Sequence, residues 1–286
     1  MDNFIPDSEL IINPDGSIYH LNLKPEHLAS SIIAVGDPER VAAVSRHFDK
    51  MELMISRREF VTHTGWYKGK RLSVISTGMG TDNIEIFMNE LDALVNVDLQ
   101  TRRPKPNHTS LNIVRVGTSG SMQPSIPAGS LLASVYGVGL DSLMQFYPGT
   151  YSVDEIAIGE AVQHALSLPY RPYCVRGSEK LMERVGQGLI YGNTVTCPGF
   201  FGPQGRMVRI KPAIPDIIER LSQVRVKNMV LTNFEMETAG YYTMGRLLGH
   251  EVISLNAIVA NRITREFATD PGQIIERLIL HTLNAI

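Results

Sequence analysis

Short apolar runs that end in glycine, alternating with stretches of helical period, set the pattern of this chain. Ile32, Ile33, Ala34 and Val35 read as a buried strand running into Gly36-Asp37-Pro38-Glu39-Arg40, and Val41, Ala42, Val44 and Phe48 then recur at helical spacing. Between Glu52 and Gly78 the alternation of Leu53, Ile55, Phe60 and Val61, a turn at Lys68-Gly69-Lys70, and Leu72, Val74 and Ile75 predict a hairpin or meander. Ser76-Thr77-Gly78-Met79-Gly80 opens a helix whose apolar face carries Ile84, Phe87, Met88, Leu91, Leu94 and Val95. Asn112 to Gly120 is another strand that runs into a glycine-rich turn, Leu131 to Tyr136 a further strand, and residues 137–151 a loop. A helix is expected from Ser152 to Leu168, strands at Tyr173 to Val175 and Leu189 to Thr196, and a helix through Ile214, Ile217, Ile218, Leu221 and Val224. Met229, Val230 and Leu231 read as a buried strand, and Met236, Ala239, Thr243, Met244, Leu247 and Leu248 as a helix closed by Gly249. Val252 to Ala260 is an apolar strand ending in Asn261-Arg262, and Ile274, Ile275, Leu278, Ile279 and Leu283 form a last helix.

Strands alternating with helices over 286 residues, 43% of them hydrophobic and 20% charged, predict one soluble α/β domain, residues 1–286. Residues 1–28, punctuated by Pro6, Pro14, Gly16 and Pro25, read as an N-terminal arm. The formal net charge of -2 gives no global field for nucleic acid or an anionic membrane, so any bound anion must be held by clustered arginines. Cys174 and Cys197 make neither a disulfide framework nor a zinc site. With no signal segment and no apolar run of membrane length, the cytoplasm is the expected location.

The candidate chemistry gathers where strands end, the place at which open α/β sheets bind ligands. Asn233-Phe234-Glu235-Met236-Glu237 puts two carboxylates two positions apart at such a junction. Acidic residues in a first helical turn also favour the helix dipole, so the spacing alone leaves a structural reading open. Arg115 interrupts an apolar strand, and a buried arginine needs an anionic partner. Thr118 and Ser119 offer hydroxyls, but the turn has neither the Walker A spacing nor a third glycine for a dinucleotide fingerprint. Cys197 to Arg206 holds Phe200, Phe201, Gln204 and Arg206 among glycines and prolines, parts able to stack on and hydrogen-bond a flat polar ring. Arg57 and Arg58 read as edge-strand charge if taken alone, and the basic run Arg102-Arg103-Pro104-Lys105 as a solvated loop. Phosphate, sugar and base together account for this set.

In this order the blocks resemble the uridine phosphorylase branch of the nucleoside phosphorylase family. The resemblance runs from about His20 to about Glu266 and is carried by Gly36-Asp37-Pro38-Glu39-Arg40, Arg58-Glu59-Phe60, Ser76 to Gly80, Arg115 to Gly120, Gln204-Gly205-Arg206, Asn233 to Glu237 and Asn261-Arg262. It implies a central mixed, barrel-like β-sheet flanked by α-helices. It further implies that Gly36, Arg40, Arg115 and Thr118 hold phosphate, with Arg58 and His20 entering from the neighbouring subunit of a homodimer, His20 at the ribose 5′-hydroxyl. Glu235, Met236 and Glu237 would bind the ribose; Phe200, Gln204 and Arg206 would hold uracil, and Arg262 would close the site. No metal or cofactor is implied, and inorganic phosphate is the co-substrate. Some relatives build a monovalent-cation site near Glu59. Here Thr81-Asp82-Asn83 stands where many relatives have Gly-Pro-Ser, a departure that counts against such a site near Glu59.

The implied reaction is phosphorolysis of uridine, deoxyuridine or thymidine. Purine-acting relatives usually place an aspartate after the last core strand, where this chain has Asn261-Arg262, which favours a pyrimidine. A purine nucleoside phosphorylase or a nucleosidase of the same fold is the alternative, though a nucleosidase has no need of Arg40, Arg58 and Arg115 together. A non-catalytic nucleoside-binding protein would keep the pocket and lose Arg206 or Glu237. The 98–109 loop, read as an insertion, favours a dimer over the ring hexamer built from such dimers.

Overall fold

The structure, a computed structural model, describes residues 3–286. The chain forms two compact units: one takes in the chain up to Met79, Asn83–Val114 and Met244–Glu251, the other Gly80–Asp82, Arg115–Thr243 and Val252–Ile286.

In the first unit, β1 (Ser31–Val35) leads into α1 (Pro38–Ser45), whose start is marked by Pro38 at the opening turn and by Asp37, which accepts from Glu39 N–H. The predicted meander is three antiparallel strands, β2 (Lys50–Arg57), β3 (Phe60–Tyr67) and β4 (Lys70–Ser76), with β4 parallel to β1. α2 (Thr81–Asn96) buries Ile84, Phe87, Met88, Leu91 and Leu94 as its period requires. The polar lead-in is anchored: Ile18, Leu21 and Leu23 are fully buried. In the basic run Arg103, Pro104 and Lys105 are exposed, as the solvated reading expects, while Arg102 is half-buried. A small ribbon of β5 (Val97–Asp98) and β6 (Arg103–Pro104) presents Arg102, which donates to the carbonyls of Ile5, Pro6 and Leu10, while Lys105 donates to that of Val95.

β7 (Asn112–Ser121) begins in the first unit and from Arg115 onward belongs to the second. There the strands are β8 (Leu131–Gly139), β9 (Tyr173–Arg176), β10 (Ile190–Thr196), β13 (Asn233–Glu235), β14 (Glu251–Asn261) and β15 (Glu266–Phe267). A two-residue ribbon, β11 (Arg225–Val226) and β12 (Met229–Val230), lies outside this sheet. The order β15-β14-β8-β10-β13-β7, with β7 also paired to β14, closes the sheet into a mixed barrel. The barrel strand is therefore Asn233–Glu235, and the Met229–Leu231 reading is corrected: Met229 and Val230 sit half-buried in the ribbon. β8 likewise runs on to Gly139, past the expected loop boundary. A Cβ at Gly137 would come 2.9 Å from Ala239 Cα, so glycine there serves close packing and not a turn.

Helices α3 (Val153–Leu166), α4 (Glu179–Val185), α5 (Ile217–Ser222), α6 (Thr238–Leu248) and α7 (Pro271–Ala285) complete the chain. Ser152 and Glu155 form a reciprocal capping box at the start of α3, at the predicted boundary. Val138, Val162, Leu166, Cys174, Val195, Leu221 and Phe234 form the apolar layer between barrel and helices. Among the described residues no helix is long and apolar enough to cross a membrane.

Candidate active site

The barrel interior is polar, and its polar residues share one face of each strand, four positions apart at Arg115 and Ser119 on β7 and two apart at Thr194 and Thr196 on β10, Asn233 and Glu235 on β13, and Ser254 and Asn256 on β14. All are buried, and burial without partners would cost about 1–3 kcal/mol for each group. Partners are supplied across strands: Ser134 Oγ lies 2.6 Å from Thr194 Oγ1, Thr194 Oγ1 donates to Asn233 Oδ1, and Asn233 Nδ2 donates to Ser119 Oγ.

Arg115 is the centre of this interior. Its Nη2 lies 2.8 Å from Glu235 Oε2 and 2.6 Å from Glu237 Oε2, and its Nη1 donates to Ser254 Oγ and Asn256 Oδ1, each at 3.2 Å. The guanidinium folds back over its own strand, and a Cβ at Gly117 would stand 2.1 Å from Nη1. Burial alone would lower the Arg115 pKa, but Glu235 and Glu237 outweigh it and hold the group above its ordinary value. Both Nη groups face these four oxygens, so among the described residues a phosphate contact by Arg115 falls to Nε–H.

The two glutamates differ. Glu235 accepts from Thr196 Oγ1 and from the N–H groups of Glu237 and Thr238, which fixes the opening turn of α6. Its oxygens are occupied by the protein itself, so it orients the turn and Arg115. Glu237 accepts from Gly80 N–H at 3.0 Å and from Arg115, leaving it the less saturated of the two. Burial raises the Glu237 carboxyl above its ordinary value, against the pull of Arg115 and with the push of Glu235. Met236 is the one residue of 231–240 that is not buried, and Thr118 alone among residues 113–121.

Beside β13, the loop after β10 builds a second group. Arg206 lies over the Phe200 ring with Cζ 3.7 Å from its centroid, and its Nη1 donates to Phe200 O and to Gln204 Oε1. Because a guanidinium only donates, this contact turns the buried Gln204 amide so that Nε2 is free to donate elsewhere. Arg262 Nη1 donates to Gln204 O, and both guanidiniums approach the Phe234 ring, Arg206 at 6.0 Å and Arg262 at 5.7 Å. Burial first, then repulsion by Arg262, pushes Arg206 down to about 10, so it stays charged near neutrality. Among the described residues neither arginine has a carboxylate ion-pair partner.

Asn261 is consumed by structure. Its Nδ2 donates to the carbonyls of Gln123 and Ile126, and its Oδ1 accepts from Ile263 and Thr264 N–H. Asn261→Asp would set a carboxylate against two carbonyls; it is expected to lower stability by about 2–3 kcal/mol and to give no inosine cleavage, checked by urea unfolding and by hypoxanthine release.

The remaining expected residues lie in the first unit. Gly36 and Arg40 stand at the start of α1; Arg58 is exposed in the β2–β3 turn with φ +55°, and its Cζ lies 5.6 Å from the Tyr19 ring centroid. Tyr19 is edge-on to His20 at 4.8 Å, so Arg58 and His20 meet on one aromatic ring. Asp92, His108 and His250 bring possible metal ligands within 4.8 Å of one another. His250 Nδ1 accepts from Leu111 N–H, which leaves the proton on Nε2, so the ring offers no lone pair to an ion there. Sequence reading missed Thr196, Phe234, Ser254 and Asn256; two polar residues two apart inside the apolar run 252–260 were the available signal for the last pair.

The phosphorylase superfamily model matches residues 31–278. The chain is 32% identical to the uridine phosphorylase of Thermococcus kodakarensis over 256 residues, 88% of this chain and 80% of that one. It is 25% identical over 251 residues to a DeoD-type purine nucleoside phosphorylase of a Thermoanaerobacter species, 87% of this chain and 90% of that one. Its fold matches a Trypanosoma brucei nucleoside phosphorylase reported to show uridine phosphorylase activity, with TM-score 0.86, 28% identity, and coverage of 97% and 100% of the two chains. The chain belongs to the nucleoside phosphorylase family, with that family's closed, mixed, barrel-like sheet flanked by helices, and is a pentosyltransferase.

Proposed function

We propose that the protein is a uridine phosphorylase: phosphate attacks C1′ of uridine as the N-glycosidic bond breaks, giving ribose 1-phosphate and uracil. The new C1′–O bond takes an electron pair from phosphate, and the pair of the C1′–N1 bond leaves with the base. The observation that carries this reading is the base pocket, where two half-buried guanidiniums and an amide donor converge and, among the described residues, no carboxylate is ion-paired to either guanidinium. Such a pocket fits a ring with two carbonyls that gathers negative charge as it leaves. Arg206 and Gln204 Nε2 donate to those carbonyls, and the second lone pair of Gln204 Oε1 accepts from N3–H. A purine ring asks for a proton at its imidazole nitrogen, and Asn261 has none to give.

Glu237, held by Gly80 N–H and Arg115, takes the ribose hydroxyls beside Met236. Thr118, with Arg115 Nε–H, receives phosphate, the role that the family resemblance also gives to Gly36 and Arg40. His20 and Arg58, joined through Tyr19, reach the site of a second copy, so the homodimer is the working unit. Phosphate's charge stabilises the oxocarbenium-like transition state, and the electron count closes with phosphate as co-substrate. Deoxyuridine and thymidine share the same carbonyls and fall within this reading.

Uracil release from uridine with and without inorganic phosphate, with inosine beside it, tests the proposal. Phosphate-dependent release with inosine inert is the expected result. Phosphate-independent release would make the protein a nucleosidase, and cleavage of inosine would overturn the base assignment.

A further inference from the structure

Glu90 lies on α2 among apolar neighbours and is buried, a place where a carboxylate needs partners. All of its partners come from the lead-in segment. Oε1 and Oε2 accept from His20 N–H at 2.9 and 3.0 Å, Oε2 accepts from Leu21 N–H at 2.8 Å, and Oε1 lies 2.7 Å from His20 Nδ1. A carboxylate has only lone pairs to offer, so Nδ1 must carry a proton toward it. In the neutral ring Nε2 is then an acceptor. Among the described residues Nε2 makes no hydrogen bond, and the side chain keeps 27% of its surface exposed. Tyr19 packs edge-on at 81° and limits rotation of the ring.

We propose that Glu90 is a positioning residue that sets the His20 tautomer, so that Nε2 reads the sugar 5′ position as a hydrogen-bond donor. The inference rests on the assignment of His20 to the ribose 5′-hydroxyl. Its consequence is a selection rule: a 5′-hydroxyl is taken, a 5′-deoxy sugar loses the bond, and a 5′-fluoro sugar, similar in size but able only to accept, meets a lone pair.

Glu90→Gln tests this with little change of shape. The amide oxygen must serve the backbone N–H groups of His20 and Leu21, which cannot change role, so the amide NH2 faces Nδ1. His20 then moves its proton to Nε2 and becomes a donor toward the sugar. KM and kcat are measured for uridine, 5′-deoxyuridine and 5′-deoxy-5′-fluorouridine in wild type, Glu90→Gln and His20→Ala.

Wild type is expected to show KM about tenfold higher for 5′-deoxyuridine than for uridine, the worth of one good hydrogen bond, and higher again for the fluoro sugar. Glu90→Gln is expected to lower KM for the fluoro sugar about threefold or more while 5′-deoxyuridine stays within about twofold, a gain that a merely structural role does not produce. His20→Ala is expected to erase the preference for a 5′-hydroxyl. A Glu90→Gln protein whose three KM values move together, or do not move, overturns the role of Glu90. Retention of full 5′-hydroxyl preference in His20→Ala overturns the ribose assignment of His20 itself, which separates the two failures.

Discussion

Arg206→Met lowers kcat for uridine phosphorolysis by about 10²–10³, the usual cost of removing one donor aimed at developing negative charge. The reason lies in what Arg206 faces. It is stacked on Phe200, oriented by Phe200 O and Gln204 Oε1, crowded by Arg262, and without a carboxylate of its own. A cation held in this way is stabilised most by a partner that becomes anionic, and uracil becomes anionic as the glycosidic bond breaks. The loss therefore falls on kcat more than on the uridine KM, and the phosphate KM stays near its wild-type value. Methionine keeps an apolar stem against the Phe200 ring and removes the charge. The measurement that decides the role is the same substitution assayed on 5-fluorouridine, whose base is a better leaving group. If Arg206 stabilises departing charge, the deficit shrinks on that substrate; an equal deficit on both nucleosides would reduce Arg206 to a binding contact.

Much of this pocket could be read from local pattern, and the unread part was non-local. The helical period of residues 84–95 and the closing Gly249 with φ +74° are local signals, and α2 and α6 form where they point. Asn233–Glu235 did not look like a strand because a strand lining a polar interior carries polar residues where apolar ones are expected, whereas Met229-Val230-Leu231 satisfied the usual rule. The anionic partner that Arg115 demands was legible, but its identity was not. Glu235 and Glu237 fill that role, and Ser254 and Asn256 reach Nη1 from β14, more than a hundred residues along the chain. The His20 contact to Glu90 spans 70 residues and has no periodic signature. Gly117 and Gly137 read as turn formers, yet each marks a close approach inside a strand, to a guanidinium and to α6 respectively.

Glu237→Gln is expected to cut kcat/KM for uridine by about 10³ with the fold retained, because the residue does two things that an amide cannot do together. One carboxylate oxygen accepts from Gly80 N–H and the other from Arg115. Glutamine satisfies one of these with its carbonyl and turns an NH2 toward the other, so the group that takes the ribose hydroxyls shifts with it. Breaking one arm of a buried ion pair also costs stability, about 3 kcal/mol, with Glu235 still neutralising Arg115. The pH dependence gives an independent check. Burial, with repulsion from Glu235 and partial relief by Arg115, raises the Glu237 carboxyl above its ordinary 4.5, so the fold takes up this proton more readily than the unfolded chain does. By linkage this group's contribution to stability is greatest in acid and is lost as pH rises through its folded-state pKa. Activity runs the other way, since the ionised form is needed: kcat/KM falls as pH drops through that pKa, and glutamine, which does not titrate, removes that acid limb. On 2′-deoxyuridine, which lacks one of the hydroxyls Glu237 receives, the loss is smaller than on uridine. Equal losses on the two sugars, with the acid limb intact, would place the ribose contact on another residue and leave Glu237 as a partner of Arg115 alone.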